Sequence, residues 1–342
     1  MESLLKPSRE APADAVLLFP GQGAQYAHMA TGLYGHDDVF TDAVDETLAL
    51  FGNGDELRAD WLGENPAVPI DDVRRAQPLL FALGHALGRT VLSWGVRPVA
   101  LLGHSVGELV AATLAGVFSL ADAVAVMRDR VDRISPAPAG GLLTVAGTPE
   151  DVHPYLARHP DIAVGALNAP RQTVLAGHTA PLHAIAAELR EAGITTLPVA
   201  AHHPFHSPVL APLFTDLTLY RNVSTHPPTI PLWSAFTGGP LDAASVRDPA
   251  LWASHPVAPV LFWPTLDKLL ATGPHLLIET GPGQGLTTLA RRHADVKRGH
   301  SEAVALLPAR SRTPEGDREQ LSAARELIHT RTRTRKEVPS CV

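Results

Sequence analysis

The stretch that most constrains this chain is Val99-Ala100-Leu101-Leu102-Gly103-His104-Ser105-Val106-Gly107-Glu108. The apolar run after Pro98 is too short and too abruptly ended for a helix, and reads as a buried parallel strand. Two glycines then bracket a serine, and Glu108 to Leu114 resumes with helix-compatible composition. Strand, tight turn and helix in that order are the context a Gly-x-Ser-x-Gly nucleophile elbow requires. The glycines remove Cβ atoms that would clash in the turn and lift Ser105 to its apex. The helix N-terminus adds backbone N–H groups and the positive end of a dipole. An ordinary glycine-rich connection containing a serine is the competing reading.

Ala15 to Phe19 is a second short buried strand, followed by Pro20-Gly21-Gln22-Gly23-Ala24-Gln25. That turn lacks the Lys and Ser/Thr of a phosphate-binding loop and the spacing of a dinucleotide fingerprint. It can present backbone N–H groups at a strand's carboxyl end, where open α/β sheets place their sites. Asp37 to Leu62 reads as mixed helix and loop. A long helix runs from Ala76 to near Gly95, with Pro78 in its first turn. Another, Leu120 to Ile134, carries Arg128, Arg130 and Arg133.

Pro136, Pro138 and Gly140-Gly141 mark a break, after which the texture changes. Strands at Leu142–Ala146, Ile162–Leu167, Gln172–Ala176 and Thr195–Ala200 alternate with helices at Pro149–Arg158 and Ala180–Ala192. This β-α-β-β-α-β order is the ferredoxin-like split unit. Its ends lie close together, so it suits insertion into a larger domain. Leu232–Ala235, Leu276–Glu279 and Val304–Leu307 read as strands returning to the large sheet. Glu319 to His329 reads as a terminal helix, and Arg331 to Lys336 as a solvated basic tail.

The 342 residues, 45% of them hydrophobic, suffice for a substantial core. A net charge of −7 gives no global electrostatic case for binding nucleic acid. No apolar run approaches the ~18–20 residues of a membrane span, and no signal peptide is evident at the start. Cys341 is the only cysteine, which excludes intramolecular disulfides, removes the common structural zinc sites and suits a reducing cytoplasm.

A serine hydroxyl needs a base within hydrogen-bonding reach. Among 17 histidines, His206 stands out because it follows the inserted unit, where the chain re-enters the main sheet. His202 and His206 have i, i+4 spacing, but Pro204 argues against a helix there and so against a metal pair. An α/β-hydrolase would have the order Ser, acid, His, with the histidine late in the chain; no acid between Ser105 and His206 announces itself. Arg130 lies one helix and a turn beyond Ser105, and its planar fork can hold a carboxylate by two parallel hydrogen bonds. The alternative is a surface arginine.

Phe19-Pro20-Gly21-Gln22-Gly23-Ala24-Gln25, Gly103 to Glu108, Arg130, Asn168, Phe205-His206-Ser207-Pro208 and Glu279-Thr280-Gly281-Pro282-Gly283 occur in order. Together they resemble the malonyl-CoA:acyl carrier protein transacylases and the acyltransferase domains of polyketide synthases, from about Val16 to about His329. The resemblance implies an α/β fold: an α/β-hydrolase-like large subdomain, here 1–138 and 203–342, with an inserted ferredoxin-like subdomain, 139–202. It implies Ser105 as the acyl-accepting nucleophile and His206 as its base, oriented by a backbone carbonyl near Ala258 in place of a triad acid. It implies an oxyanion hole from the N–H groups of Gln22 and Val106, and a substrate site including His104, Asn168, Phe205 and Arg130, the last holding the free carboxylate of a malonyl-type group. No metal and no cofactor are implied. A coenzyme A thioester is the donor and the phosphopantetheine thiol of an acyl carrier protein the acceptor.

His203-Pro204-Phe205-His206 is similar to the His-Ala-Phe-His of malonyl-selective domains, with Pro204 in place of alanine. The phenyl ring leaves little room for an α-substituent, although one methyl gives only ~1–3 kcal/mol of discrimination. The extent of the chain fits a discrete, trans-acting acyltransferase. Arg291, Arg292, Lys297 and Arg298 form a local basic cluster that suits an acidic carrier protein; a solvated face is the plainer reading. The competing functions are transfer of another acyl group from carrier to carrier, an editing acyl-thioester hydrolase on the same fold, and a catalytically idle interaction module.

Overall fold

The computed structural model describes residues 13–311 and 313–332. Cys341 and residues 333–336 of the basic tail lie outside them. Along the chain run β1 (Asp14–Phe19), α1 (Asp38–Leu50), α2 (Gly54–Leu62), α3 (Val73–Ser93), β2 (Ala100–Gly103), α4 (Val106–Leu114) and α5 (Leu120–Ile134). Then come β3 (Gly140–Val145), α6 (Pro149–Leu156), β4 (Ile162–Ala169), β5 (Gln172–His178), α7 (Thr179–Glu191) and β6 (Thr196–Pro198). The last part holds α8 (Thr218–Asn222), β7 (Leu232–Ser234), β8 (Gly239–Pro240), α9 (Pro249–Ser254), α10 (Phe262–Leu270), β9 (His275–Glu279), α11 (Gly285–Ala290), α12 (Ala294–Lys297), β10 (Glu302–Ala305) and α13 (Pro314–Arg331).

The large sheet has the order β10-β9-β1-β2-β7-β8, and all neighbours are parallel except the β7–β8 pair. Its central strands are buried on both faces, which is why β1 and β9 read as unbroken apolar runs rather than alternations. The parallel direction brings the ends of β1, β2, β7 and β9 to one edge, so the turns after Phe19, Gly103 and Glu279 meet there. Helix α3 packs against α4, the helix that follows the elbow.

The second sheet, β4-β5-β3-β6, is antiparallel. One of its faces, with Leu143, Val145 and Leu175, packs under Leu182, Ile185 and Leu189 of α7. The other, with Leu142, Ala166, Val174 and Ala176, joins the core of the large sheet. The chain therefore has the α/β two-subdomain fold expected from the order of its elements. No helix among the described residues is long and apolar enough to cross a membrane.

Three local expectations are corrected. Helix α3 begins at Val73, capped by the Asp72 carboxylate, so Pro78 lies inside the helix and not in its first turn. The cap precedes the apolar periodicity that marked the start. Gly140 and Gly141 are not a break but the first rungs of β3, paired with His178 and Gly177. A Cβ on Gly140 would stand 2.6 Å from the Gly177 carbonyl and 2.7 Å from Pro204 Cδ, so packing and not flexibility explains this glycine. The last strand ends at Ala305, two residues before the run of apolar residues does.

Candidate active site

Ser105 sits between the end of β2 and the start of α4 with φ 55° and ψ −120°. Only surrounding structure that over-determines it can hold a non-glycine residue there. The flanking glycines supply that tightness: a Cβ on Gly103 would come 2.1 Å from the Glu108 nitrogen, and one on Gly107 2.1 Å from the Phe19 carbonyl. The turn after β1 closes on the same spot, since a Cβ on Gly21 would meet the His104 carbonyl at 2.6 Å. The elbow reading of the sequence holds in its geometry.

Ser105 Oγ lies 2.7 Å from His206 Nε2, and His206 Nδ1 lies 3.0 Å from the Ala258 carbonyl. A carbonyl only accepts, so Nδ1 carries the proton and Nε2 is left to accept from the serine. His206 is itself held at φ 60°, with its N–H donated to the Pro256 carbonyl at 2.7 Å. Burial, and to a lesser degree the neighbouring His104, push its imidazole down to about 3. The resting ring is therefore neutral and able to act as a base throughout the ordinary pH range.

Asn168, on β4, turns its Oδ1 to His104 Nε2 at 2.8 Å. The Gln22 side chain is tied down away from the serine: its Nε2 donates to the Asp71 carbonyl and its Oε1 accepts from Gln77. Among the described residues, the backbone N–H groups of Gln22 and Val106 have no acceptor. A chamber of about 70 Å³ over Ser105 is lined by Gln22, His104, Asn168, Phe205 and His206, with Leu142, Gly165 and Val174 of the small sheet. Past Gln22, His104 and Asn168 a cleft of about 510 Å³ leads outward between Gln172, Gln284, Arg292 and Arg310.

Arg130 is buried, but it is not on the chamber wall. It lies in the field of Glu108, Asp129 and Tyr220, and its own charge depresses His206 and His255. Its guanidinium makes no hydrogen bond or ion pair with any described residue, and its Nε is fully enclosed. Of the basic cluster, Arg292 reaches the cleft mouth and donates to Gln172 Oε1 at 2.6 Å, while Arg291 turns to the Ala303 carbonyl.

Two buried groups carry no role in the sequence reading. The Glu108 carboxyl, pushed up to about 8 chiefly by burial, accepts from the Ala235 N–H. His255 Nε2 lies 3.6 Å from Glu108 Oε1, and the His255 ring stacks on Phe236 at 4.0 Å. Phe236 faces His206 at 5.8 Å. Glu108 stood inside the elbow motif, but nothing in the spacing linked it to a histidine so far along the chain.

The matching family model, described as an acyl transferase domain, spans residues 16–333. The chain belongs to the acyl transferase domain family. It is 38% identical over 281 residues to a component of the phenolphthiocerol/phthiocerol polyketide synthase of Mycobacterium tuberculosis, a match that covers 81% of this chain and 19% of that protein. The chain thus spans about a fifth of that relative. The acyltransferase domain from the second module of the salinomycin polyketide synthase superposes with a TM-score of 0.83 at 33% identity, over 92% of this chain and 73% of that one. A malonyl-transacylase solved with its type II polyketide acyl-carrier protein shares the fold at 23% identity and a TM-score of 0.81, over 92% of this chain and all of that one.

The buried ionisable groups set the stability of the acyl transferase against pH. Burial is the leading cause that lowers the proton affinity of His85, His104, His203, His206, His255 and His275. Unfolding lets these rings bind protons below their ordinary ~6.5, so stability falls as pH drops through that value. Glu108 and Glu279, raised to about 8 and about 7, act in the opposite sense and cost stability as pH rises from the ordinary carboxyl value of 4.5 up to those values. Burial raises Asp317 in the same sense, and the six histidines outweigh these three carboxyls on the acid side. The melting temperature is therefore expected to peak near neutrality and to fall between pH 6.5 and 5; a rise over that interval in a thermal melt series contradicts it.

Proposed function

We propose that this acyl transferase moves a malonyl-type group from coenzyme A to the phosphopantetheine thiol of an acyl carrier protein, by way of an ester on Ser105. The observation that carries this reading is the chain from Ser105 Oγ to His206 Nε2 to the Ala258 carbonyl. As the serine attacks the thioester carbonyl, His206 Nε2 takes its proton. The oxyanion forms where the unclaimed N–H groups of Gln22 and Val106 can meet it; one such donor is worth ~10²–10³ in rate. Collapse breaks the C–S bond, and His206 returns the proton to the leaving thiolate. The carrier thiol then reacts in the same way against the acyl-serine, which frees the serine and completes a ping-pong cycle. Such an enzyme works in the cytoplasm.

The cleft suits the arm of either thioester. It is lined largely by amides and small residues, with Arg292 and Arg310 among them. The transacylase of like fold that binds its carrier gives this partner a precedent. Intact-mass measurement after incubation with several acyl-CoAs tests the proposal. A lasting malonyl adduct that a holo carrier protein discharges is expected. Release as free acid points to a hydrolase, and no adduct with any donor to an idle module.

Arg130 supplies the carboxylate site in this reading, which requires the side chains between it and the chamber to part when the acyl group binds. A buried guanidinium without a hydrogen-bond partner is costly, and a free carboxylate on the acyl group provides the partner. Arg130→Ala is expected to lower malonyl transfer by ~10²-fold, because a charge-assisted hydrogen bond is worth ~1.5–3 kcal/mol. Acetyl transfer should hold steady or rise. Equal loss with both donors assigns Arg130 to structure alone.

Phe205 sets the acyl size. Its ring is buried, lies 6.5 Å from that of His206 and closes one side of the chamber. Phe205→Ser is expected to raise the ratio of methylmalonyl to malonyl transfer, as kcat/KM, by roughly 10-fold. A ratio that does not move, or a wild type that takes both equally, removes Phe205 as the selector.

A further inference from the structure

The carbonyl that orients His206 belongs to a segment outside both sheets, residues 256–261 between α9 and α10. Pro256 and Ala258 accept from the backbone and ring of His206. Two residues later Val260 forms a parallel bridge to Ala166 of β4. Its N–H donates to the Gly165 carbonyl at 2.9 Å, and its carbonyl accepts from Leu167 at 2.8 Å. Leu261 then donates to the Ala235 carbonyl at 2.6 Å, just past β7. One short stretch thus ties the histidine to the small sheet on one side and the large sheet on the other.

Gly165 makes this possible in two ways. β4 is an edge strand, and its register with β5 shifts between Val164 and Ala166, so Gly165 has no partner across the ladder. A bulge of this kind bends the strand and frees a backbone group. A Cβ at Gly165 would be squeezed to 3.0 Å from Ala176 Cβ on one side while already in contact at 3.5 Å with both His206 Cβ and its carbonyl oxygen on the other. The φ of Gly165 is not in the left-handed region, so space and not conformation calls for glycine.

We propose that Gly165 and Val260 are positioning residues for His206, through which the small sheet fixes where the imidazole stands over Ser105. The proposal rests on His206 being the base. It explains how a histidine without a carboxylate partner is held: its carbonyl acceptor is pinned two residues away by a strand-like seam, and the gap between its own backbone and Ala176 is too small for a relaxed side chain at 165. Misplacing a reacting group by about 1 Å can cost ~10²-fold in rate.

Gly165→Ala, alone and together with Ala176→Gly, tests it. The single change is expected to slow acylation of Ser105 by ~10- to 100-fold. KM for the acyl-CoA should stay within about twofold, and the loss should be equal for malonyl and acetyl donors, because a displaced base is indifferent to the acyl group. Adding Ala176→Gly removes the 3.0 Å contact, lets the new methyl move away from His206 and should restore most of the rate. An unchanged rate in the folded single variant overturns the proposal. So does a loss that grows with acyl size or is not rescued, since Gly165 would then be only a wall of the chamber. Hydrogen exchange on the wild type decides the matter if the single variant does not fold: residues 256–262 should be protected as well as β4, and free exchange there overturns the seam. His206→Ala with acylation intact would remove the base itself, a failure distinct from any of these.

Discussion

Ser105→Ala is expected to leave no covalent acyl adduct detectable by intact mass with any acyl-CoA, while the protein keeps its melting temperature to within a few degrees. The change removes one hydroxyl and no packing. The backbone at 105 is held at positive φ by Gly103, Gly107 and Gly21 around it, and alanine meets the same constraint as serine. The lost hydrogen bond to His206 Nε2 is worth about 1 kcal/mol, too little to unfold a chain with this core. A hydroxyl deletion therefore separates chemistry from fold cleanly. Adduct at unchanged occupancy in the variant would move the nucleophile elsewhere and with it the whole ping-pong scheme.

How far the sequence told this in advance differs from one element to the next. The elbow was legible because its demands are local: a short apolar strand, two glycines without room for a Cβ, and a helix all lie within sixteen residues, and the structure places each. The small sheet was legible because alternating short runs and turns fix its order, although Gly140-Gly141 misled. A glycine pair reads as a break, whereas here both residues pair in β3 and Gly140 makes room for Pro204. Between Pro208 and Leu270 the reading thinned. Helices α8, α9 and α10 are five, six and nine residues long, near or below the length at which periodicity declares itself. The carbonyl of Ala258 falls in that region, and a backbone acceptor has no residue type to announce it. The Glu108–His255 contact was invisible for a related reason. Two buried groups so far apart in sequence meet only after the large sheet brings β7 beside β2. Arg130 was legible as a charge on a helix, but its burial was not, since neighbouring Arg128 and Arg133 share its composition and only the fold separates them.

His206→Ala should slow both half-reactions, acylation by the acyl-CoA and transfer to the carrier thiol, each by ~10²–10⁴-fold, because one imidazole takes a proton in the first and handles the thiol's proton in the second. Loss in one step alone would refute the shared role. The pH profile of the wild type adds an independent check. An exposed histidine base would lose activity below its ordinary ~6.5. Here burial holds the ring down to about 3, and the Ala258 carbonyl, which pulls the other way, is the weaker influence. The sign is that of a base kept neutral: the active form persists as pH falls and is lost only on approach to the lowered value. Single-turnover acylation should therefore stay flat from about pH 8 to about pH 5, including the stretch below ~6.5 in which an ordinary histidine would be mostly charged. The test must use acylation and not stability, because the same buried histidines weaken the fold on the acid side, and short mixing times keep the two apart. An acid limb centred near 6.5 in folded enzyme would mean that water reaches His206 in the resting state. The buried setting of the imidazole over Ser105 would then not describe the enzyme that meets its substrate.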